Sequence, residues 1–201
     1  NDEEITKDLG FNTQTIMAMF IPNTYEVYWT ISIEELLNRM KNEYIAFWNA
    51  ERRQKAESLG LSIQEVSTLA SIVQAESSKN DESPTIAGLY LNRLEKDMLL
   101  QADPTVKFAL GDFSIQRILT KDTKIDNPYN TYRYRGLPPG PINLPTITSI
   151  DAVLNYEEHN YIYMCAKEDF SGYHRFAKTL SEHNKNARLF QKSLNSRGIY
   201  R

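Results

Sequence analysis

The chain has 201 residues, of which 41% are hydrophobic and 24% are charged, which fits one large domain with a hydrophobic core or one domain with a smaller appendage. The net charge of −3 gives no sign of a nucleic-acid-binding protein, although a local basic patch could still bind an anionic polymer. No run approaches the roughly 18 consecutive apolar residues that a membrane-spanning helix needs.

The N-terminal part of the chain predicts one short strand and one long helix. Residues 1–31 show no helical period, and within them we predict a strand from Tyr25 to Thr30. Ser32 and Glu35 have the spacing of a capping box, which begins a helix. We predict that this helix continues to about Ser58.

The middle of the chain predicts two further helices. Ser62 and Glu65 form a second capping box, and apolar residues follow it at helical spacing. Ser83 and Pro84 predict the start of the third helix, with Ser83 as the N-cap and Pro84 in the first turn. The predicted buried stripe of this third helix is Ile86, Leu89, Tyr90 and Leu94.

The second half of the chain predicts loops followed by mixed structure. Residues 100–145 are rich in proline and glycine, and we predict that they are mainly loop. A short helix is predicted near 149–154, a hairpin from strands over 161–166 and 173–177, and a last helix over about 181–193. Runs of helices with a small antiparallel sheet indicate the α+β fold class.

Residue types that ligate metals or act as nucleophiles are few. The three histidines, His159, His174 and His183, lack the spacing of a metal site, and no acidic or cysteine cluster lies beside them. The single cysteine, Cys165, lies in an apolar run and is predicted to be a buried thiol. Phosphate-binding and nucleophile-elbow motifs are also absent from the sequence, so we expect no metal and no cofactor.

Glu76 follows the apolar face of the second predicted helix. Leu69, Ile72 and Val73 precede it at a spacing that puts all four side chains on one side of the helix. Burial and the negative end of the helix dipole would both keep the carboxylic acid protonated, which a general acid requires. The alternative is that Glu76 ends the apolar stripe and faces water, and the pattern alone favours this second interpretation.

A second carboxylate would decide between reaction types. Hydrolytic glycosidases usually need two carboxylates that flank the scissile bond. Asp81 and Glu82 lie on a polar connection that we expect to be solvated. Asp103, before Pro104, could approach from a loop or could be a local turn residue. The sequence therefore supports one well-placed acid and does not support a pair.

Two loops rich in proline and tyrosine are further candidates. Asn130 and Thr131 lie between two tyrosines and could donate hydrogen bonds flanked by aromatic faces. Residues 137–141 form a stiff segment, in which the prolines lack N–H donors and Gly140 permits close backbone approach. Each loop could line a groove. The alternatives are a surface turn for the first loop and a structural connector for the second.

In their order along the chain, these segments resemble the YceG-like family of endolytic murein transglycosylases. Residues 70–77 are similar to the family's catalytic-glutamate helix, with Glu76 in the place of the catalytic acid. The other similar segments are Asn92-Arg93-Leu94, residues 100–106, Tyr129 to Tyr132, Gly136 to Ile142 and His183-Asn184. Two positions depart from the family pattern: Gln74 replaces the first acid of an E-K-E-T segment, and Ala102 replaces the threonine of Q-T-D.

The resemblance implies a lyase reaction on peptidoglycan. The MurNAc–GlcNAc β-1,4 bond would be cleaved within a glycan strand, leaving a 1,6-anhydro-MurNAc end. Glu76 would protonate the leaving oxygen and then accept the proton of the C6 hydroxyl group, so a second carboxylate is not required. The residues that we assign to substrate positioning are Gln101, Asp103, Asn130, Tyr132, His174 and His183.

The resemblance also carries expectations for the whole protein. Residues 32–201 would be the catalytic domain, and residues 1–31 a remnant of a LysM-like region or a linker. An N-terminal membrane anchor upstream would hold the protein at the periplasmic face of the inner membrane, where it would limit glycan strand length beside the peptidoglycan synthases. Three other functions stay open: a non-catalytic peptidoglycan-binding domain, a hydrolase that uses Glu76 with Asp103, and a generic α+β interaction domain, for which the ordered set of motifs would be a coincidence.

Overall fold

The structure is a computed structural model that describes residues 3–115 and 117–197. Within these residues the helices are α1 (Glu3–Asp8), α2 (Ile33–Phe47), α3 (Ala50–Ser58), α4 (Ile63–Glu76), α5 (Ser83–Glu95), α6 (Asp103–Leu110), α7 (Ile147–Leu154) and α8 (Leu180–Ser196), with short 3-10 helices at Ile16–Met19 and Asp122–Lys124. Strands β1 (Tyr163–Ala166) and β2 (His174–Ala177) form an antiparallel hairpin. The predicted α+β class is confirmed. None of these described helices has the length and apolar character needed to cross a membrane.

Helix α4 is central to the core. The predicted capping box is present at its start: the Glu65 amide donates to Ser62 Oγ at 3.2 Å, and the Ser62 amide donates to the Glu65 carboxylate at 2.8 Å. Every residue of α4 from Val66 to Val73 is buried, because α4 packs against α5, α6 and α7. This packing fixes the position of the last residue of α4, Glu76.

The long helix predicted before Ser58 is divided into α2 and α3, so the prediction of one continuous helix is wrong. Asn49 starts the new helix, because its side-chain oxygen accepts a hydrogen bond from the Arg52 amide at 3.0 Å. Trp48, directly before Asn49, is fully buried. Asparagine competes for backbone hydrogen bonds inside a helix and is favoured at helix starts.

The strand predicted over residues 25–30 is absent from the described segment. The chain there has no strand partner, and the Tyr25 hydroxyl group donates to the Ile21 carbonyl at 2.6 Å. Trp29 is completely exposed. Aromatic and β-branched residues favour strands only where a neighbouring strand pairs with them, so the local composition predicted the wrong structure.

Part of the region over 100–145, predicted as loop, is helical. Helix α6 begins at Asp103 with Pro104 in its first turn, and it ends before Gly111, whose φ of +68° lies in the left-handed region. Proline fits the first turn of a helix, because an N–H group at that position would have no helical partner. The loop prediction is therefore wrong for α6.

The remaining predicted elements agree with the structure to within a few residues. Helix α5 begins at Ser83, so Glu82 rather than Ser83 is its N-cap residue. Helices α7 and α8 are capped by the side chains of Thr146 and Thr179. The predicted hairpin is present, with shorter strands than the sequence pattern indicates.

The N-terminal segment packs into the same hydrophobic core as the helices that follow it. Phe11 meets Tyr44 of α2 edge-on, with ring centroids 5.2 Å apart, and Met19 is fully buried. A Cβ atom at Gly140 would lie 2.1 Å from the Gln14 carbonyl oxygen, so the backbones of these two segments touch. The hydrophobic core therefore contains residues from both sides of residue 31. The domain boundary between residues 31 and 32 stays a prediction.

Candidate active site

The carboxyl group of Glu76 lies at the end of α4, at an open cleft. Its Oε1 atom accepts a hydrogen bond of 2.5 Å from the hydroxyl group of Tyr90. Tyr90 is 2% exposed, so the core holds the donor in place. The helical spacing of Tyr90 in the sequence predicts that it is buried on α5. Its contact with Glu76 arises only when α4 packs against α5.

The environment of Glu76 changes its acidity. Burial raises the pKa of Glu76 from 4.5 to about 7. The hydrogen bond from Tyr90 opposes this shift, whereas the negative charge of Asp103 adds to it. The positive charges of His174 and Arg93 also oppose the shift. Near neutral pH, Glu76 is therefore present in both its protonated and its ionised form, as a group that gives and takes protons must be.

Glu76 lines a cleft of about 390 Å³, which we call the hairpin-side cleft because β1 forms part of its wall. The other predicted site residues that line it are Gln101, Asp103, Tyr132, His174 and His183. Three residues that the sequence did not single out as site residues, Tyr90, Arg93 and Tyr163, line it as well. The fold thus brings together segments from both halves of the chain.

Asn130 is the predicted site residue that the structure does not bring into the cleft. It is fully buried, and its side-chain amide donates to the carbonyl groups of Thr123 at 2.9 Å and Ile125 at 2.8 Å. Its side-chain oxygen accepts from the Tyr132 amide at 3.0 Å. Asn130 therefore supports the loop that carries Tyr132, which corrects its assignment to substrate contact.

The neighbouring residues of this loop fix the start of α6. The hydroxyl oxygen of Thr131 accepts from the Ala102 amide at 3.0 Å and lies 2.8 Å from the Thr105 hydroxyl oxygen. The Tyr132 hydroxyl group donates to Asp103 Oδ1 at 2.5 Å. The asparagine–threonine pair of this motif is therefore structural, and Tyr132 directs the carboxylate of Asp103.

Gln101 has a strained backbone at the edge of the cleft. Its φ of +52° is in the left-handed region, which residues other than glycine rarely adopt. The backbone is held there because the Gln101 amide donates to the Thr131 carbonyl at 3.0 Å. Such strain persists where the surrounding structure enforces it, and it is common at functional sites.

Glu82 holds His174 and was missed by the sequence analysis. Its carboxylate accepts from the His174 backbone amide at 2.7 Å and lies 2.8 Å from His174 Nδ1. Glu82 is 6% exposed, so the prediction of a solvated residue is wrong. No sequence signal links the two, because they are far apart in the chain and meet only when the hairpin packs beside the start of α5. The contact orients the imidazole ring of His174, which lines the hairpin-side cleft.

His183 presents an imidazole ring with an unused buried nitrogen. The ring stacks on Tyr163 of β1, with centroids 5.3 Å apart and an angle of 27° between the planes. Its Nδ1 atom is buried and has no hydrogen-bond partner among the described residues. Burial, together with the positive charge of Arg93, lowers the pKa of His183, which favours the neutral ring.

Arg93 links two of the segments that line the hairpin-side cleft. Its Nε atom donates to the Ile162 carbonyl at 2.7 Å, and its Nη1 atom donates to the carbonyl groups of Leu99 at 3.1 Å and Leu100 at 2.6 Å. These bonds join the start of β1 to the segment before Gln101. Arg93 belongs to the Asn92-Arg93-Leu94 segment, so the only sequence signal for it was the family resemblance.

A second cavity, of about 380 Å³, also has Glu76 and Asp103 in its lining, and we call it the α6-side cavity. The rest of its lining is Ala75, Pro104, Lys107, Phe108, Phe113, Ile118, Ile142 and Asn143. A third opening, of about 320 Å³, shares Glu76, Ala166 and His174 with the hairpin-side cleft and extends that side past the hairpin turn. Glu76 therefore borders all three openings, which we refer to together as the groove.

The model of the YceG-like family matches residues 1–189. This chain belongs to the YceG-like family. The match includes the helix that carries Glu76 and the segments that supply the cleft residues. In the part of this YceG-like chain that the structure describes, no three His, Cys, Asp or Glu side chains are grouped as a metal site would require.

Several relatives of this YceG-like chain have names or structures. A Bacillus subtilis (strain 168) protein named endolytic murein transglycosylase is 36% identical over 169 residues, which cover 83% of this chain and 45% of that protein. A Streptococcus pneumoniae (strain R6) protein of the same name is 30% identical over 187 residues, which cover 90% of this chain and 33% of that protein. A crystal structure of a YceG-like protein from Listeria monocytogenes has a TM-score of 0.74 and 37% identity, covering 84% of this chain and 54% of that one. The chain spans less than half the length of the two relatives named endolytic murein transglycosylase.

Gln74, where this chain departs from the family's E-K-E-T segment, has a structural role. Its side-chain oxygen accepts from the Thr146 amide at 2.7 Å and the Ser149 hydroxyl group at 3.2 Å. Its side-chain nitrogen donates to Asn143 Oδ1 and the Leu144 carbonyl, both at 3.2 Å. An amide donates and accepts, whereas a carboxylate only accepts, so glutamine suits this junction between α4 and α7.

Two further sequence predictions are corrected in this YceG-like chain. Cys165 is partly exposed and lines the hairpin-side cleft, because a hairpin that walls a cleft leaves its residues partly accessible. Burial nevertheless raises the pKa of its thiol. Of the proline-rich segment, Pro138 and Pro141 are buried, and only the residues directly after it, Ile142 and Asn143, line the groove.

Proposed function

We propose that this chain is the catalytic domain of an endolytic peptidoglycan lytic transglycosylase, which cleaves the MurNAc–GlcNAc β-1,4 bond within a strand and forms a 1,6-anhydro-MurNAc end. The observation that carries the proposal is the position of Glu76, a carboxyl group with a pKa raised to about 7 at the middle of an open groove. The names of the Bacillus and Streptococcus relatives support the same reaction.

The proposed reaction uses Glu76 twice. The protonated carboxyl group first donates its proton to the glycosidic oxygen, and the bond from that oxygen to C1 of MurNAc breaks. The C6 hydroxyl oxygen of the same MurNAc then attacks C1, and its proton passes to the Glu76 carboxylate. The acid is regenerated and no water is consumed. A pKa near 7 suits this double role, because both forms are accessible at neutral pH.

The proposed endolytic mode is supported by the shape of the groove. The hairpin-side cleft and the α6-side cavity both include Glu76 in their linings, which fits a strand that extends past the reacting bond in both directions. A groove closed on one side would accept only strand ends. Exclusion of water by the bound strand would favour attack by the C6 hydroxyl group over hydrolysis.

A two-carboxylate hydrolase is the second candidate, and the position of Asp103 favours it. Asp103 lines the same two cavities as Glu76, and its charge contributes to the raised pKa of Glu76. In that reaction Asp103 would activate water, and the product would have a reducing end. Asp103 already accepts a hydrogen bond from Tyr132 that orients the loop, which accounts for the residue without a catalytic role.

Mass spectrometry of the products distinguishes these reactions. Uncrosslinked peptidoglycan strands would be incubated with the wild-type chain, with Glu76→Gln and with Asp103→Asn. We expect internal fragments whose ends are lighter by one water molecule than reducing ends, formed by the wild type and absent with Glu76→Gln. Asp103→Asn should retain some of this activity. Reducing ends that require Asp103 would instead establish the hydrolase, and glycan binding without any product would indicate a binding domain.

The proposal extends to the place of action. Because peptidoglycan lies outside the cytoplasm, we propose extracytoplasmic action, at the periplasmic face of the inner membrane and beside the peptidoglycan synthases, where strand cleavage would limit glycan length. Cell fractionation of the whole protein, followed by crosslinking to the synthases, tests this part. Recovery in the cytoplasmic fraction would contradict it.

A further inference from the structure

The α6-side cavity differs in chemistry from the rest of the groove. Apart from Glu76, Asp103, Lys107 and Asn143, its lining residues are apolar. Phe113 is 68% exposed, although a side chain of this size and character is usually buried in a folded protein. An exposed aromatic ring in the lining of a cavity next to a reactive carboxyl group indicates a binding site in which the ligand covers the ring.

A row of aromatic rings supports Phe113. Its ring meets the ring of Phe108 edge-on, with centroids 6.4 Å apart. Phe108 packs in turn against Tyr129, with centroids 4.6 Å apart, and both of these rings pack against the hydrophobic core. Phe113 is therefore anchored on one side by the protein, while much of its surface stays open to the cavity.

We propose that the α6-side cavity is a saccharide subsite, in which a pyranose ring of the glycan strand stacks on Phe113 while the bond to be cleaved lies at Glu76. The inference rests on the proposed function, which supplies the glycan. One face of a pyranose ring presents C–H groups and its edge carries hydroxyl groups, so it complements an exposed aromatic ring beside a few polar groups. Lys107 is the cation in the lining that can meet the polar edge.

The position of the cavity favours a sugar over a stem peptide as the ligand. Glu76 and Asp103 belong to its lining, so a strand that is cleaved at Glu76 would place in the cavity a group bonded next to the scissile oxygen. In a glycan strand that group is the next pyranose ring. Phe113 would then be a specificity-determining residue, because strands that fill both sides of the groove gain a contact that strand ends on one side lack.

The test measures binding separately from cleavage. A peptide-free murein hexasaccharide would be titrated by calorimetry into the uncleaving Glu76→Gln protein and into the same protein with Phe113→Ala added. We expect the second substitution to weaken binding about tenfold, the order of loss for one aromatic contact. Phe113→Trp should restore affinity to within about twofold of the parent, because it keeps an aromatic surface.

Leu119→Ala is the matched control, since Leu119 is an exposed apolar residue of the same segment that does not line the cavity. It should leave hexasaccharide affinity unchanged. Binding by the parent that is unaffected by Phe113→Ala would overturn the subsite and leave the proposed function standing. No hexasaccharide binding by the parent would overturn the subsite and count against the glycan groove itself. The same titration with a hexasaccharide that carries stem peptides tests the other ligand. If Phe113→Ala weakens binding of that ligand alone, the cavity binds peptide and the proposal is contradicted.

Discussion

The hairpin-side cleft and the α6-side cavity have nearly the same volume, about 390 and about 380 Å³, and share Glu76 and Asp103, yet they are held together in different ways. The lining of the hairpin side is about half polar and half apolar, and buried hydrogen bonds such as those of Glu82 and Arg93 fix its polar side chains. The α6 side is mainly apolar, and contacts between aromatic rings support Phe113.

This difference predicts that the two sides of the groove have different roles in the reaction. Hydrogen bonds are directional, so the hairpin side can hold particular atoms at fixed positions around Glu76. Apolar contact is proportional to area and has little direction, so the α6 side can supply affinity without fixing the chemistry. We therefore expect rate and pH dependence to respond to changes on the hairpin side, and affinity for long strands to respond to changes on the α6 side.

The largest expected effect is on the residue that the two sides share. Glu76→Gln should stabilise the folded protein at pH 8 by up to about 3 kcal/mol, from about 1.4 kcal/mol per pKa unit between 4.5 unfolded and about 7 folded. Below the unfolded pKa, glutamate is protonated in both states and the two proteins should be equally stable. The difference should grow as the pH rises from there to about 7. Urea unfolding at pH 4 and pH 8 checks this, and a gain of the same size at both pH values would contradict the raised pKa.

A somewhat smaller effect is expected from the contact that orients His174. Glu82→Gln replaces a carboxylate oxygen that orients the imidazole ring, so His174, a predicted substrate-positioning residue, loses its fixed place in the cleft. Turnover should fall by roughly 10- to 100-fold with a smaller change in KM, because a small displacement of a positioning group costs up to about that much in rate. The pH–rate profile should move as well, since His174 is one of the groups whose charge acts on the pKa of Glu76. Asp81→Asn is the matched control, because this exposed neighbouring carboxylate accepts a hydrogen bond from the Tyr173 hydroxyl group and has none with His174. Equal losses in both variants would mean that surface charge, and not the orientation of His174, matters.

A smaller effect is expected from a substitution of Thr131, whose side chain holds the start of α6. Thr131→Val removes the hydroxyl group that accepts from the Ala102 amide and contacts the Thr105 hydroxyl group. The unfolding free energy should fall by about 1–2 kcal/mol, because a buried amide loses its partner. Thermal unfolding measures this change. No loss of stability would mean that water or a shifted loop replaces the hydroxyl group.

The smallest expected effect concerns the hydrogen bond that Tyr90 donates to Glu76. Tyr90→Phe removes a hydrogen bond that favours the carboxylate, so the pKa of Glu76 should rise further. The acid form then persists to higher pH, and the alkaline limb of the pH–rate profile should move upward. Initial rates across the pH range measure this limb. A downward movement would show that Tyr90 acts on Glu76 in some way other than this hydrogen bond.

Local patterns predicted the elements that depend on local physics. The capping box at Ser62 and the apolar spacing from Leu69 to Val73 predicted α4, and its last core-facing position made Glu76 a candidate that the family resemblance then favoured. The hairpin and the last helix were also predicted. Where a single polar residue decides the backbone, as Asn49 does between α2 and α3, the periodic pattern hid the break.

The candidate site was predicted in part, and the errors have a common cause. Gln101, Asp103, Tyr132, His174 and His183 were chosen by family resemblance, and all of them line the cleft. The supporting residues were missed or misread. Glu82 was expected to be solvated, Arg93 received no role, and Asn130 was expected to touch substrate. Whether a polar side chain is buried depends on segments far away in the chain, which no local pattern contains.

The sequence by itself determined helices α4, α5, α7 and α8, the hairpin and the presence of one carboxyl group at the end of an apolar helix face, because these depend on neighbours within a few residues. Only the tertiary structure decided that Glu76 is desolvated, that Tyr90 donates to it and that Glu82 holds His174. The same is true of the two-sided groove and its exposed Phe113. Burial and hydrogen bonding between distant segments arise when the chain packs, and they are what turn an ordinary glutamate into a group with a pKa of about 7.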